Sequence, residues 1–232
     1  MQTKLGKIIT DRLLKYSRYR SSQFCHDLYI ELGMNNSYCP YCNKNRIDIV
    51  NKRIVRNGET THRLLFDIDH FYPKSRFPFF ALSFYNHIPS CHACNSTIKK
   101  DKIFSIETHI NPYFESFDDL YKFRLPLTAL ASYTVDEIKI DSYGIKNPDK
   151  TVDDLELVER YQTDFGEISR LLTTFHNYQH YISDGNINDL KRYIFDMHGV
   201  KPNKNEILKS PNAKLLRDIL KQMDVNNALE ID

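Results

Sequence analysis

Two pairs of cysteines share the same two-residue interval. Cys39 and Cys42 form the first pair, and Cys91 and Cys94 form the second. This interval lets two thiolates hold one tetrahedral ion, so two such pairs indicate a site with four thiolate ligands. Residues 43–90 separate the pairs, so the ion would join segments that are distant in the chain. The spacing predicts a structural Zn²⁺ site, because four thiolates leave no coordination position open for water.

The fifth cysteine, Cys25, lies in an apolar stretch, and we expect it to be a small buried residue. An odd number of cysteines and a polar N-terminal segment unlike a secretory signal argue against a disulfide framework. We therefore expect a cytoplasmic location. A redox dithiol and unpaired core cysteines stay open as alternatives to a metal site. The first normally begins a helix in a β-α-β unit, and the second does not explain two matched pairs.

A second group of residues could catalyse hydrolysis of a phosphodiester bond. Asp69 and His70 end an apolar run, and Asn86 and Asn95 follow it. Histidine titrates near neutral pH, which suits it to accept a proton from water. Carboxylate and amide oxygens suit a hard cation such as Mg²⁺ or Mn²⁺, which neutralises negative charge on a phosphate. Taken singly, these residues could also be ordinary turn, cap or solvated helix residues.

Three further side chains are weaker candidates for the same site. His109 precedes an Ile-Asn-Pro segment, and a single histidine is more often structural than catalytic. Lys74 and Lys99 are placed to contact phosphates, although a solvated helix face also presents lysines.

The order of these residues resembles the signature of the HNH endonucleases. The matching segments are Asp69-His70-Phe71-Tyr72-Pro73-Lys74-Ser75 and the run from Asn86 through Cys91-His92-Ala93-Cys94 to Asn95. The resemblance covers about residues 38–112 and includes both cysteine pairs. It implies a ββα-metal core in which His70 is the general base and Asn86 orders the loop and orients His70. It further implies that Asp69 and Asn95 bind the catalytic Mg²⁺ or Mn²⁺.

The resemblance also implies a substrate and a partner. The implied reaction is divalent-metal-dependent hydrolysis of DNA phosphodiester bonds. The Cys-Pro-Tyr-Cys segment and the segment that begins at Asp69 are similar to HNH proteins of bacterial anti-phage defence. Septu-type systems of that kind pair the nuclease with an ATPase, which would dock on the C-terminal region. Two alternatives stay open: an RNA-directed nuclease or toxin, and a zinc-stabilised nucleic-acid-binding module without catalysis.

The charge is distributed unevenly along the chain. Residues 1–112 contain 17 Lys or Arg and 9 Asp or Glu, a net charge of +8. Residues 113–232 contain 15 and 21, a net charge of −6. A basic half is typical of proteins that contact nucleic acid, although a chance distribution of solvated charges is the alternative.

The patterns divide the chain into three regions of an α+β protein. Residues 1–37 form an N-terminal helical segment, residues 38–112 the nuclease core with the zinc site, and residues 113–232 a strand pair followed by an acidic, mainly helical region. No stretch has the roughly 20 apolar residues of a membrane-spanning helix. The apolar spacing places the individual elements as follows: helices at 4–19, 22–33, 91–100, 165–182, 190–197 and after Pro211, strands at 63–70, 121–125 and 135–140, and a turn at Asn57-Gly58.

Overall fold

The computed structural model describes residues 4, 8, 12, 14–53, 60–144, 146 and 148–232. The chain divides into two compact units, residues 1–114 and residues 115–232. Both units combine short helices with small antiparallel sheets, so the expected α+β class is confirmed. Most of the expected helix at 4–19 and the turn at Asn57-Gly58 lie outside the described residues. Within the described residues, no helix is long and apolar enough to cross a membrane.

Two helices open the described part of the first unit. Helix α1 spans Tyr16–Arg20 and helix α2 spans Gln23–Glu31. The hydroxyl of Ser22 accepts a hydrogen bond from the backbone N–H of Cys25, which caps the start of α2. Helix α2 buries Cys25, as its apolar setting predicts, together with Tyr29.

Three antiparallel strand pairs follow in the described part of the first unit. They are β1 (Ser37–Tyr38) with β2 (Arg46–Ile47), β3 (Ile49–Arg53) with β4 (Thr60–Leu64), and β5 (Asp67–His70) with β6 (His87–Ser90). The β5–β6 ladder runs from Asp67 opposite Ser90 to His70 opposite His87. Because side chains alternate along a strand, Asp67 and Asp69 share one face of β5.

The chain turns from β6 into a short helix of the wide π form, which spans Ala93–Lys99. The backbone N–H of Lys100 bonds to the carbonyl of Asn95 at 2.8 Å, which is the five-residue interval of this form. The helix buries Cys94 and Lys99. It therefore turns a cysteine and a lysine five residues later towards the interior.

The second unit begins with helix α3 (Phe117–Leu120) and an antiparallel pair of β7 (Tyr121–Arg124) and β8 (Lys139–Ser142). Helix α4 (Leu127–Ser132) lies between the two strands in the chain. The expected strand at 135–140 is wrong in position, since β8 begins at Lys139. Val135 and Ile138 are buried but do not belong to a strand. Their apolar pattern therefore reflects burial in the core and not the pairing of two strands.

The rest of the second unit is helical. Its helices are α5 (Thr151–Asp154), α6 (Leu157–Tyr161), α7 (Phe165–Tyr178), α8 (His180–Ser183), α9 (Ile187–His198) and α10 (Ala213–Met223). The single helix expected at 165–182 is thus divided between α7 and α8. One core cluster joins α7, α9, α10 and the C-terminal segment through Leu171, Phe175, Leu190, Ile194, Val200, Leu216, Leu220, Leu229 and Ile231.

Helix α10 also buries charged side chains. Lys214 Nζ lies 2.6 Å from Asp218 Oδ2 and 3.0 Å from Asp118 Oδ1, and Arg217 also pairs with Asp118. Asp218 Oδ2 in addition accepts a hydrogen bond from the backbone N–H of Phe123 at 2.9 Å. These bonds join α10 to α3 and to β7.

Candidate active site and metal centre

The four paired cysteines converge in the first unit. Cys39, Cys42, Cys91 and Cys94 are all buried, and their sulfur atoms lie within 4.8 Å of one another. The Sγ atoms of Cys42 and Cys91 are 3.9 Å apart. A Zn–S distance of about 2.3 Å places two sulfurs of a tetrahedron about 3.8 Å apart, so the cluster has the size of a zinc site. The four cysteines could hold a metal ion of this kind.

N–H groups already point at the sulfurs of the cluster. Cys39 Sγ accepts from the backbone N–H of Cys91 at 3.3 Å, and Cys91 Sγ accepts from Asn45 Nδ2 at 3.3 Å. Such donors stabilise thiolates and orient metal ligands. Burial raises the pKa of the Cys39 thiol well above its ordinary value, so a cation would have to displace its proton on binding.

Tyr41 connects the cysteine cluster to strand β5. Its position between Cys39 and Cys42 places it in the turn of the first pair, where it is buried. Its hydroxyl donates a hydrogen bond of 2.8 Å to Asp69 Oδ2. The turn that supplies two sulfurs therefore also fixes the orientation of a carboxylate in β5.

Asp69 is paired with a buried lysine. Lys99 Nζ lies 2.9 Å from Asp69 Oδ1 and also donates to the backbone carbonyl of His70 at 2.8 Å. The two side chains are only 2% and 1% exposed. Burial raises the pKa of Asp69, and the charge of Lys99 opposes that rise. Both oxygens of Asp69 thus accept a hydrogen bond, one from Tyr41 and one from Lys99.

His70 stands at the end of β5 and is nearly buried. Its Nε2 lies 3.2 Å from the backbone carbonyl oxygen of Ala81, which can only accept, so Nε2 carries the proton and Nδ1 keeps the lone pair. The ring meets Tyr16 edge to face with centroids 4.4 Å apart. Burial lowers the pKa of His70 from 6.5 to about 4, so the imidazole is neutral near pH 7.

Asn86 binds the backbone of the loop between β5 and β6. Its Oδ1 accepts from the backbone N–H of Tyr72 at 2.7 Å, and its Nδ2 donates to the carbonyls of Tyr72 and Phe80, each at 3.1 Å. The residue after Phe80 is Ala81, whose carbonyl holds His70. Asn86 is therefore placed to order the loop and, through Ala81, to orient His70.

Asn95 lies beside a carboxylate that the sequence reasoning missed. Its Nδ2 donates to Asp67 Oδ2 at 3.0 Å, and Ser96 Oγ donates to the same oxygen at 2.8 Å. His92 Nδ1 lies 3.1 Å from that oxygen. The alternation of β5 could have identified Asp67, because it lies two residues before Asp69 on the same strand face.

An open cleft of about 340 Å³ brings most of these groups together. Its polar lining includes Asp67, Asp69, His70, Lys74, Asn95, Ser96, Lys99 and Lys100, and helix α1 contributes Tyr16 and Arg20. Asp101 also lines the cleft, so its four cations and three carboxylates make it a strongly polar site.

Helix α1 contributes two residues that the sequence did not single out. Tyr16 donates its hydroxyl to the carbonyl of Ile68 at 3.1 Å, and Arg20 donates to the carbonyl of Phe66 at 2.7 Å. Their four-residue interval puts both on one face of the helix, and this face lies along β5. The interval can be read from the sequence, but it does not show that this face of the helix packs against β5.

The weaker candidates fall in different places. Lys74 lines the cleft, with its Nζ 4.8 Å from the ring centre of Tyr16. Lys99 is buried against Asp69 rather than exposed to a ligand. His109 is buried and stacks on Phe104 with ring centroids 3.8 Å apart, and it is not one of the described residues that line the cleft.

Comparison of the chain with protein-family models, with curated proteins and with solved structures found no match to any of them.

Proposed function

We propose that this protein is a divalent-metal-dependent nuclease that hydrolyses phosphodiester bonds in the cleft beside β5. The observation that carries the proposal is the meeting of His70, three aspartates, Asn95 and several cations in one open cleft. The resemblance of the sequence to HNH endonucleases supports the same function. Neither feature is expected of a zinc-stabilised module that only binds nucleic acid.

The general base in this proposal is His70. Its Nε2 proton is engaged by the Ala81 carbonyl, which leaves Nδ1 to accept the proton of an attacking water. The resulting hydroxide forms the new bond to phosphorus while the bond from phosphorus to the leaving oxygen breaks. A bound Mg²⁺ or Mn²⁺ would neutralise negative charge on the phosphate at this stage. Asn86 acts as a positioning residue, because it fixes the loop that contains Ala81.

The oxygen donors of the cleft fit a hard cation, and its lysines fit a polyanion. Carboxylate and amide oxygens are ligands that Mg²⁺ and Mn²⁺ accept, and the aspartates of the cleft and Asn95 offer them. Lys74 and Lys100 are exposed cations of the cleft, and we assign phosphate contacts to them, whereas Lys99 is engaged by Asp69. The basic balance of residues 1–112 agrees with a nucleic-acid substrate, and we propose DNA.

The zinc in this proposal is structural. Four sulfur ligands fill a tetrahedral ion, so the site has no position for a substrate oxygen. Its contribution is to hold the turn around Tyr41 and the start of the π helix in place, and these segments carry groups that contact Asp69.

An ATPase partner and a role in anti-phage defence stay predictions from the resemblance. The test is co-expression of the chain with ATPases encoded next to it, followed by size-exclusion chromatography. A stable complex is expected, and a chain that elutes alone in every pairing would count against the prediction.

The function is tested by digesting plasmid DNA, single-stranded DNA and RNA in parallel. Each substrate is incubated with zinc-loaded protein in Mg²⁺, Mn²⁺ or EDTA. Cutting of DNA that EDTA abolishes is the expected result. Preferential cutting of RNA would favour the RNA-directed alternative, and binding without cutting of any substrate would favour the non-catalytic module.

A further inference from the structure

Two aspartates lie on the cleft face of β5, and they differ in what already binds them. Asp69 is 2% exposed, and its two oxygens accept from Tyr41 and Lys99. A cation bound at Asp69 would lie close to the buried ammonium of Lys99, 2.9 Å from Oδ1, and the two positive charges would repel each other. Lys99 also holds the carbonyl of His70. Asp69 is therefore engaged within the protein.

Asp67 is held in a different way. Its side chain is 29% exposed. Asn95, Ser96 and His92 all form hydrogen bonds with the same oxygen of this carboxylate, Oδ2. No residue in the described part of the chain bonds to Oδ1. The three donors fix the carboxylate, while Oδ1 keeps its lone pairs for a ligand from the cleft.

The same contact determines the orientation of Asn95. Because a carboxylate oxygen can only accept, Asn95 must present its NH₂ group to Asp67. Its amide oxygen is then the atom that remains for a cation. One contact thus prepares two oxygen ligands from two different elements, β5 and the π helix.

We propose that Asp67 is a carboxylate ligand of the catalytic cation and acts together with the amide oxygen of Asn95. The proposal rests on the nuclease function given above and deepens it. Asp69 then has a positioning role, because it orders Lys99, and Lys99 holds the end of β5 at His70. The resemblance to HNH endonucleases assigns the carboxylate ligand to Asp69 instead, so the two assignments can be separated by experiment.

The experiment measures Mn²⁺ binding to the zinc-loaded protein by the loss of the electron paramagnetic resonance signal of free Mn²⁺. Asp67→Asn and Asp69→Asn remove the same charge from neighbouring positions on one face of β5. Asp27→Asn, on the exposed side of α2, is the matched control outside the cleft. Zinc content and unfolding curves show whether each variant is folded.

We expect Asp67→Asn to weaken Mn²⁺ binding at least tenfold, and Asp69→Asn and Asp27→Asn to change it less than threefold. Asn95→Ala should weaken Mn²⁺ binding as well. This variant still tests the proposed cation site if Asp67→Asn does not fold. Wild-type affinity in a folded Asp67→Asn protein would overturn the proposal, as would a larger loss in Asp69→Asn.

Cleavage of DNA is measured on the same samples, so that the two proposals can fail separately. If the wild-type protein cuts DNA while Asp67→Asn binds Mn²⁺ normally, the assignment of Asp67 fails and the nuclease stands. If Mn²⁺ binds and Asp67→Asn loses it, but no nucleic acid is cut, the cation site stands and the nuclease function fails.

Discussion

The hydroxyl of Tyr41 donates a hydrogen bond of 2.8 Å to the carboxylate of Asp69, and both side chains are buried. Tyr41 lies between two cysteines of the four-cysteine cluster, whereas Asp69 lies in β5 beside His70. The bond is thus a direct link between the cluster and the cleft. It explains how a metal without an open coordination position could still determine the arrangement of the cleft.

Removal of this hydroxyl is expected to destabilise the first unit. Tyr41→Phe leaves a buried carboxylate oxygen without its donor, which costs about 1–3 kcal/mol of unfolding free energy. Urea unfolding measures the change, and zinc content should stay at the wild-type value. Tyr85→Phe is the matched control, because Tyr85 is exposed. An equal effect of the two substitutions would contradict the role given to the Tyr41 bond.

The cysteine cluster is expected to hold one zinc ion per chain. Cys42→Ala or Cys94→Ala removes one of the four sulfur ligands, so zinc content should fall well below one equivalent. Cys25→Ala should leave zinc content unchanged, because Cys25 is not part of the cluster. Elemental analysis of purified proteins measures this. Full zinc content in Cys42→Ala would show that the metal, if any, is held elsewhere.

The sequence predicted the cysteine cluster well because the spacing of metal ligands is a local rule. Two residues between cysteines are needed wherever the pair lies, so the pairs could be recognised without knowledge of the fold. The single strand expected at 63–70 is divided between β4, which ends at Leu64, and β5, which begins at Asp67. The structure places both Asp69 and His70 in β5.

The bonds of Asp69 could not be predicted in this way. The burial of Lys99 depends on the π form of the helix after β6. In this wider helix, Lys99 lies on the same buried side as Cys94, five residues earlier. The sequence presented Lys99 as a residue for phosphate contact, whereas the structure places it against Asp69. Tyr16 and Arg20 were missed because their partner carbonyls in and before β5 are about fifty residues away.

Stability of the first unit is expected to fall at acidic pH because of His70. Burial lowers the pKa of His70 from 6.5 to about 4, and the hydrogen bond to the Ala81 carbonyl opposes this shift only in part. The unfolded chain therefore takes up a proton near pH 6.5, whereas the folded chain does so only near pH 4. The contribution to stability is complete above pH 6.5 and is lost as the pH falls towards 4, up to about 3 kcal/mol.

The measurement is urea unfolding between pH 7.5 and pH 4.5 for the wild type and for His70→Gln. The variant should lose less stability than the wild type over this range. Proton uptake by the cysteine cluster affects both proteins and cancels in the difference. Identical pH dependence of the two proteins would contradict the lowered pKa of His70.

Because the second unit contains buried charges, replacement of Asp118 is expected to lower the free energy of unfolding strongly. Asp118→Ala leaves Arg217 without its carboxylate partner and removes one partner of Lys214, so we expect a loss of about 3–5 kcal/mol. Asp119→Ala, at the next and exposed position, should cost less than about 1 kcal/mol. Urea unfolding of the whole chain, followed by a probe in each unit, measures both. Similar losses for the two variants would argue against the buried network.

The assignment of His70 as the general base is tested by the rate of plasmid cleavage in His70→Ala. Cleavage is measured in Mg²⁺ with zinc-loaded protein, and zinc content and DNA binding are measured on the same samples. His176→Ala, in the second unit, is the matched control. If His70 is the general base, His70→Ala should lower the rate at least 100-fold, while zinc content and DNA binding stay within twofold of wild type. Cleavage at the wild-type rate in a folded His70→Ala protein would contradict this assignment.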